Sequence, residues 1–201
     1  MLSVSHLTCQ RGERVLFRDL SFDLPAGQWL QVAGANGAGK TSLLRILAGL
    51  SEPVSGQVTW NGQGLREDRE AYHADLLYLG HQGALKEELT PVENLTLSLG
   101  MEGFPPDATR VTDALHRFGL QGREMLPARY LSAGQRRRVL LSRLLLRPAP
   151  LWILDEPFTA LDVHAVATLC ELIQNHVTTG GCAILTSHQT LSLPPGLSVT
   201  L

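Results

Sequence analysis

The sequence predicts an α/β fold: a parallel-sheet core with an N-terminal antiparallel β subdomain and an inserted α-helical subdomain. Three observations point there. The first third alternates apolar and polar residues at strand period. From Thr90 the apolar spacing becomes helical. From Leu151 strand, helix and strand signals alternate again. Such alternation around a helical block is the pattern of a parallel sheet interrupted by an insertion.

Taken in order, LSVSHLT (2–8), RVLFRDLSFDL (14–24) and QWLQVAG (28–34) read as strands, separated by turns at Arg11-Gly12 and Pro25-Ala26-Gly27. TSLLRILAGL (41–50) has helical apolar spacing and closes at Gly49. VTWNG (58–62) is a strand ending in an Asn-Gly turn, and DLLYLGHQ (75–82) a buried strand. Thr90 with Glu93 makes a capping box, with Pro91 at the first helical position. A second helix carries Val111, Ala114, Leu115 and Phe118 on one stripe and stops at Gly119. A third begins after Ser132. LWILD (151–155) is a strand, 163–177 a helix and CAILTS (182–187) a strand, so the helical lobe spans about 83–147.

Bulk composition narrows the function classes. The chain has 201 residues, 44% hydrophobic and 18% charged, with a formal net charge of −2, which gives no global pull toward nucleic acid or an anionic membrane. Cys9, Cys170 and Cys182 are odd in number and lack metal or haem spacing, as expected of reduced thiols. The first residues show no secretory pattern, and no run of about 18 apolar residues suggests a bilayer span. Arg136, Arg137, Arg138, Arg143 and Arg147 scatter around their helix among Val139, Leu140, Leu141 and Leu144, so solvated or intradomain pairs are expected rather than direct nucleic-acid binding.

The chemistry sits in a few short stretches. GANGAGKT (Gly34, Ala35, Asn36, Gly37, Ala38, Gly39, Lys40, Thr41), followed by Ser42, leaves a strand and opens a helix, the context a phosphate-binding GxxxxGK[ST] loop requires. Its backbone N–H groups and helix N-terminus suit a triphosphate, Lys40 reaches the terminal phosphates and the Thr41 hydroxyl suits Mg²⁺. LWILDEP ends in two acids: Asp155 to hold the Mg²⁺, and Glu156 to activate the attacking water. His188 follows the last core strand at the carboxyl edge of the sheet, where a nucleotide must sit. LSAGQ (Leu131, Ser132, Ala133, Gly134, Gln135) is a second phosphate seat at a helix start.

With those residues in order, the chain resembles the ATP-binding-cassette ATPases from end to end. The resemblance implies a P-loop NTPase (RecA-like) core and one nucleotide-binding domain over 1–201. GANGAGKT resembles the family's P-loop, Gln82 its Q-loop glutamine and Mg²⁺ contact, LSAGQ its signature, and LWILDE its Walker B segment. TALD, with Asp162, resembles its D-loop, and His188 its switch histidine. It also implies ATP and Mg²⁺ as ligands, and an ATP-sandwich homodimer in which LSAGQ faces the ATP of the second subunit. Ala133 departs from the usual glycine, while Gly134, whose N–H makes that contact, is kept. The family stacks adenine on an aromatic residue near the place where this chain has Arg11, whose guanidinium plane is the substitute.

Within the family, LTCQRGERVLFRDLSF, VAGANGAGKTSLLRILAGL, LLYLGHQGALKEELTPVENL and LSAGQRRRVLLSRLLL resemble the ATP-binding subunits of cytochrome c maturation. That implies a peripheral ATPase on the cytoplasmic face of the bacterial inner membrane, reaching the membrane only through a polytopic partner subunit. It further implies coupling of hydrolysis to haem-related transport. The alternatives are the ATPase of another small bacterial exporter, a soluble cassette protein acting on ribosomes or DNA, and a P-loop kinase. The last leaves LSAGQ unexplained.

Overall fold

The computed structural model describes residues 1–81, 85–187 and 192–201. In chain order it contains β1 (Leu2–Arg11), β2 (Arg14–Leu24), β3 (Trp29–Ala33), α1 (Lys40–Leu47), β4 (Ser55–Trp60), β5 (Gln63–Gly64), α2 (Arg69–Asp75) and β6 (Leu76–Leu79). The helices α3 (Pro91–Met101), α4 (Ala108–Arg117), α5 (Ala133–Leu141) and α6 (Arg143–Leu146) follow. Then come β7 (Leu151–Leu154), α7 (Val163–Thr178), β8 (Cys182–Thr186) and β9 (Leu197–Thr200). Two compact units result. One comprises Met1–His81, Ala149–Glu156 and the described part of 173–201; the other comprises Pro157–Leu172 and the described part of 82–148.

The first unit contains two sheets. A four-stranded antiparallel sheet runs β2-β1-β4-β5, and a five-stranded parallel sheet runs β6-β7-β8-β3-β9. Every residue of β7 and β8 is buried, which explains their unbroken apolar reading: a parallel strand covered on both faces has no polar side. The Asn-Gly turn joins β4 to β5 with Asn61 at φ 51° and Gly62 at φ 83°, the backbone a two-residue hairpin demands. Leu43, Leu44 and Leu47 of α1 pack with Leu30, Val32, Ile153 and Ile184 of the parallel sheet in one core. Each fully buried side chain of this type contributes about 1.5–3 kcal/mol.

The second unit is helical. α3 carries the capping box: the Thr90 hydroxyl accepts from Glu93 N, and the Glu93 carboxylate accepts from Thr90 N. Leu95, Leu99, Val111, Leu115, Val139 and Leu146 form its core. The helix expected after Ser132 breaks into α5 and α6 at Ser142, whose hydroxyl donates to Arg138 O and to Ala114 O; such back-bonding bends helices. The arginines are tied down within the unit. Arg136 pairs with Glu87, Arg138 with Asp162, and Arg143 and Arg147 with Glu102. Cys9, Cys170 and Cys182 are free and buried. Among the described residues no helix is long and apolar enough to cross a membrane.

Candidate functional site

The phosphate-loop stretch lies where β3 ends and α1 begins. Gly39 is the N-cap of α1 at φ 114°, and a Cβ there would lie 3.0 Å from the Leu16 Cβ, so conformation and space both require glycine. No side chain caps α1, which leaves the N–H groups of its first turn open to an anion. Lys40 is 8% exposed, and its Nζ donates to Gly34 O at 2.7 Å and Ala35 O at 3.0 Å. The ammonium is thus held by carbonyls of its own loop. A cavity of about 360 Å³ is lined by Asn36, Gly37, Lys40, Thr41 and Ser42, with Glu156, Arg11, Arg14 and Leu16 around them.

The two acids leave the end of β7 in different directions. Asp155 is 1% exposed, and its Oδ1 accepts at 3.0 Å from the Thr186 hydroxyl. The same hydroxyl accepts at 2.7 Å from Glu156 N. Glu156 itself sits at φ 48°, in the left-handed region that a non-glycine residue adopts at a cost, and its side chain turns to the cavity. His81 Nδ1 lies 3.3 Å from Glu156 Oε2. Burial, and next the Asp155 charge, push the Tyr78 phenol up from its ordinary pKa, with Arg45 opposing, so a protonated hydroxyl stays near the buried carboxylate. Thr41 and Asp155 offer hydroxyl and carboxylate oxygen. That donor chemistry suits Mg²⁺, which keeps waters and substrate phosphates as its remaining ligands.

In the second unit LSAGQ forms the start of α5. Ser132 is the N-cap: its hydroxyl accepts from Gln135 N at 3.2 Å, while the Gln135 side chain accepts from Ser132 N at 2.9 Å. The hydroxyl proton is not used by that cap. A Cβ on Gly134 would collide with the Ala160 carbonyl, so this position excludes any side chain. Ala133 is the first helical residue, where a methyl group is accommodated. Asp162 Oδ1 accepts from Ala165 N at 2.9 Å at the start of α7, and Oδ2 lies 3.6 Å from Arg138 Nη1.

Within the first unit, then, Asn36, Gly37, Gly39, Lys40, Thr41, Ser42, Arg11 and Glu156 meet at one cavity, which Gly34, Ala35 and Ala38 of the same loop do not line, and Asp155 is bridged to Glu156 by a threonine. Leu131–Gln135 and Asp162 belong to the second unit. Gln82 and His188 lie outside the described residues. Sequence reasoning did not identify Thr186, His81, Arg14 or Tyr78. The only signals were a threonine near the end of CAILTS, a histidine beside Gln82, and a second arginine facing Arg11 across a turn.

The family model described as ABC transporter matches residues 17–159, more than half the chain. The cytochrome c biogenesis ATP-binding export protein CcmA of Methylococcus capsulatus is 53% identical over 96% of this chain and 93% of its own length. A solved structure described as the ATP-binding subunit of an ABC transporter superposes with a TM-score of 0.82 at 31% identity, covering 93% of this chain and 79% of that one. A dimeric ATP-binding cassette bound to ADP and phosphate superposes with a TM-score of 0.82 at 22% identity, over 94% of this chain and 88% of that one; it shares the fold. The chain belongs to the ABC transporter ATP-binding family, among its cytochrome c biogenesis ATP-binding export proteins.

Proposed function

We propose that this chain, an ATP-hydrolysing subunit of an ABC transporter, couples its ATPase cycle to haem-related export in c-type cytochrome assembly. The observation that carries the catalytic reading is the single cavity shared by Lys40, the open first turn of α1 and Glu156. Lys40 leaves the Gly34 and Ala35 carbonyls for the terminal phosphates. The N–H groups of 40–42 receive the phosphate oxygens. Thr41 and Asp155, with Gln82, would hold Mg²⁺, which would neutralise phosphate charge. Glu156 takes the proton of the attacking water as it meets the γ-phosphorus. His188 contacts the γ-phosphate, and Arg11 stacks on the base.

The whole chain is read as one nucleotide-binding domain, with the second unit its helical subdomain. Ser132 and Gly134 serve the ATP of a second copy, through an unused hydroxyl proton and a side-chain-free N–H at a helix start. The dimer sits at the cytoplasmic face of the inner membrane, bound to a polytopic partner subunit. The 53% identity over nearly the full chain supports the cytochrome c setting.

Lys40→Ala tests both halves. A unit charge about 4 Å from a phosphate charge is worth roughly 4 kcal/mol at an effective dielectric near 20, so ATP binding and turnover should collapse. In a bacterial strain lacking its own c-type cytochrome maturation ATPase, the wild-type chain should restore haem-stained c-type cytochromes, and the variant should not. Undiminished hydrolysis by the variant removes the phosphate-loop assignment. Active wild-type enzyme that restores no cytochromes removes the cytochrome role.

A further inference from the structure

We infer that His81 is a positioning residue for hydrolysis: its imidazole holds the Glu156 carboxylate in the attitude from which it takes the proton of the attacking water. The inference rests on the reading of Glu156 as the general base and adds a residue outside the motifs read from the sequence. It is separate from His188, which follows β8, whereas His81 follows β6.

The strand pairing brings the two side chains together. β6 and β7 run parallel, with Leu76 opposite Leu151 and Leu79 opposite Leu154. Carried on past both strand ends, that register sets His81 beside Glu156. The Leu79 carbonyl accepts from Asp155 N at 2.8 Å, so the two segments are still tied where the strands finish. Gly80 makes the intervening step, and a Cβ there would lie 3.1 Å from the Tyr78 hydroxyl, an unusually tight contact. His81 Nδ1 then lies 3.3 Å from Glu156 Oε2.

Glu156 needs such a hold. Its N–H is fixed by donation to the Thr186 hydroxyl, and its backbone is turned to φ 48°. Neither restrains the side-chain torsions, and a general base acts only when its carboxylate lies within hydrogen-bond reach of the water. An N–H at Nδ1, the tautomer assigned from that distance, takes up Oε2 and leaves Oε1 for the water. Glu156 lines the phosphate-loop cavity and His81 does not, so the ring leaves the space of the nucleotide free. The contact is long for a hydrogen bond, as catalytic contacts commonly are before substrate binds. His81 is exposed and Glu156 partly buried. A pair so placed adds little stability, so its consequence lies in orientation rather than folding.

Single-turnover ATP hydrolysis, ATP affinity and melting of the full chain test this. His81→Phe keeps a ring and removes the donor. Its hydrolysis rate should fall about ten- to a hundredfold, while ATP affinity and melting stay at wild-type values. His81→Asn places an N–H at the same point along the side chain as Nδ1 and should recover most of the rate. In a Glu156→Gln background His81→Phe should cost little more, because the group it positions has already lost its basicity. Three results overturn the assignment: a phenylalanine variant as fast as wild type, an asparagine variant as slow as the phenylalanine one, or the full phenylalanine penalty in the Glu156→Gln background. A loss of melting or of ATP affinity that accounts for the slower rate overturns it too, since His81 then serves folding or binding. Glu156→Gln alone checks the underlying reading. Normal turnover there removes the general base, whereas a slow Glu156→Gln beside a fast His81→Phe removes only His81.

Discussion

Thr186→Val should cost this protein both stability and turnover, because one hydroxyl holds both acids of the proposed site. Thr186 is fully buried at the end of β8; it donates to Asp155 at 3.0 Å and accepts from Glu156 N at 2.7 Å. Valine keeps the volume and removes both bonds. A hydrogen bond to a charged group is worth about 1.5–3 kcal/mol, and an orphaned buried N–H costs about 1–3 kcal/mol. Together that is roughly 2.5–6 kcal/mol against a net stability on the order of 5–15 kcal/mol. At about 2–4 °C per kcal/mol for a chain of this size, the melting midpoint should fall by roughly 10 °C. Turnover should fall further than the folded fraction does, since misplacing a reacting group by about 1 Å costs on the order of a hundredfold. Thr186→Ser keeps the hydroxyl and should restore both readouts. Thermal melts and ATP hydrolysis of the two variants, measured side by side, decide the matter. A valine variant that melts and turns over like wild type would refute the bridging role.

The remaining expectations concern the other groups. Glu156→Gln should keep nucleotide affinity but cut turnover by about 10² to 10⁴ and accumulate an ATP-loaded dimer in size-exclusion runs; a monomer with normal turnover shows that Glu156 is not the base. Ser132→Arg should spare ATP binding by the monomer yet abolish turnover, and mixing it with Lys40→Ala subunits should return partial activity, because one site of the heterodimer is then intact on both sides. No recovery in proven heterodimers sinks the trans reading of LSAGQ. His176 stacks flat on Trp152, ring centroids 3.8 Å apart, and burial holds its pKa below the ordinary 6.5. The folded chain then binds fewer protons than the unfolded one once pH falls below 6.5, so that contribution is present above this pH and lost below it. Urea midpoints of wild type should drop relative to His176→Phe between pH 7 and pH 5, and parallel curves would contradict this.

How much was legible in the sequence followed from how local each signal was. β2 falls on RVLFRDLSFDL, α3 starts at its capping box and β4 turns at Asn61-Gly62, because turn and cap chemistry acts over three or four residues. Sheet membership was less accessible. QWLQVAG reads like the strands before it, yet β3 joins the parallel sheet between β8 and β9, a pairing fixed by contacts over 150 residues away. The helix α2 escaped because Tyr72 is its one buried side chain, so no apolar stripe betrays it; the cap from Asp68 to Ala71 N holds it instead. The site divides along the same line. Gly34–Thr41 carry their proposed role in spacing alone. Thr186 meets Asp155 across two strands, and nothing in CAILTS distinguishes that hydroxyl from a core threonine.

The charges within each unit support the proposal that ATP binding, rather than hydrolysis alone, supplies the coupling in the dimer. A triphosphate on the first unit would meet one helix start already open and one buried ammonium that exchanges the Gly34 and Ala35 carbonyls for phosphate. The anion carries several charges, so much of its outer face stays exposed to water. The second unit presents another helix start, α5, with a fractional positive charge on the order of half an elementary unit. Its cap uses one Ser132 lone pair and leaves the hydroxyl proton free, which suits a phosphate oxygen. Gly134 keeps that approach clear for a backbone N–H, and packing against Ala160 keeps it so. On the proposed trans reading, that arrangement serves the nucleotide of a second copy. In that proposed dimer the γ-phosphate would draw two copies together while present and release them once it leaves, a closing and opening that would drive the proposed membrane partner.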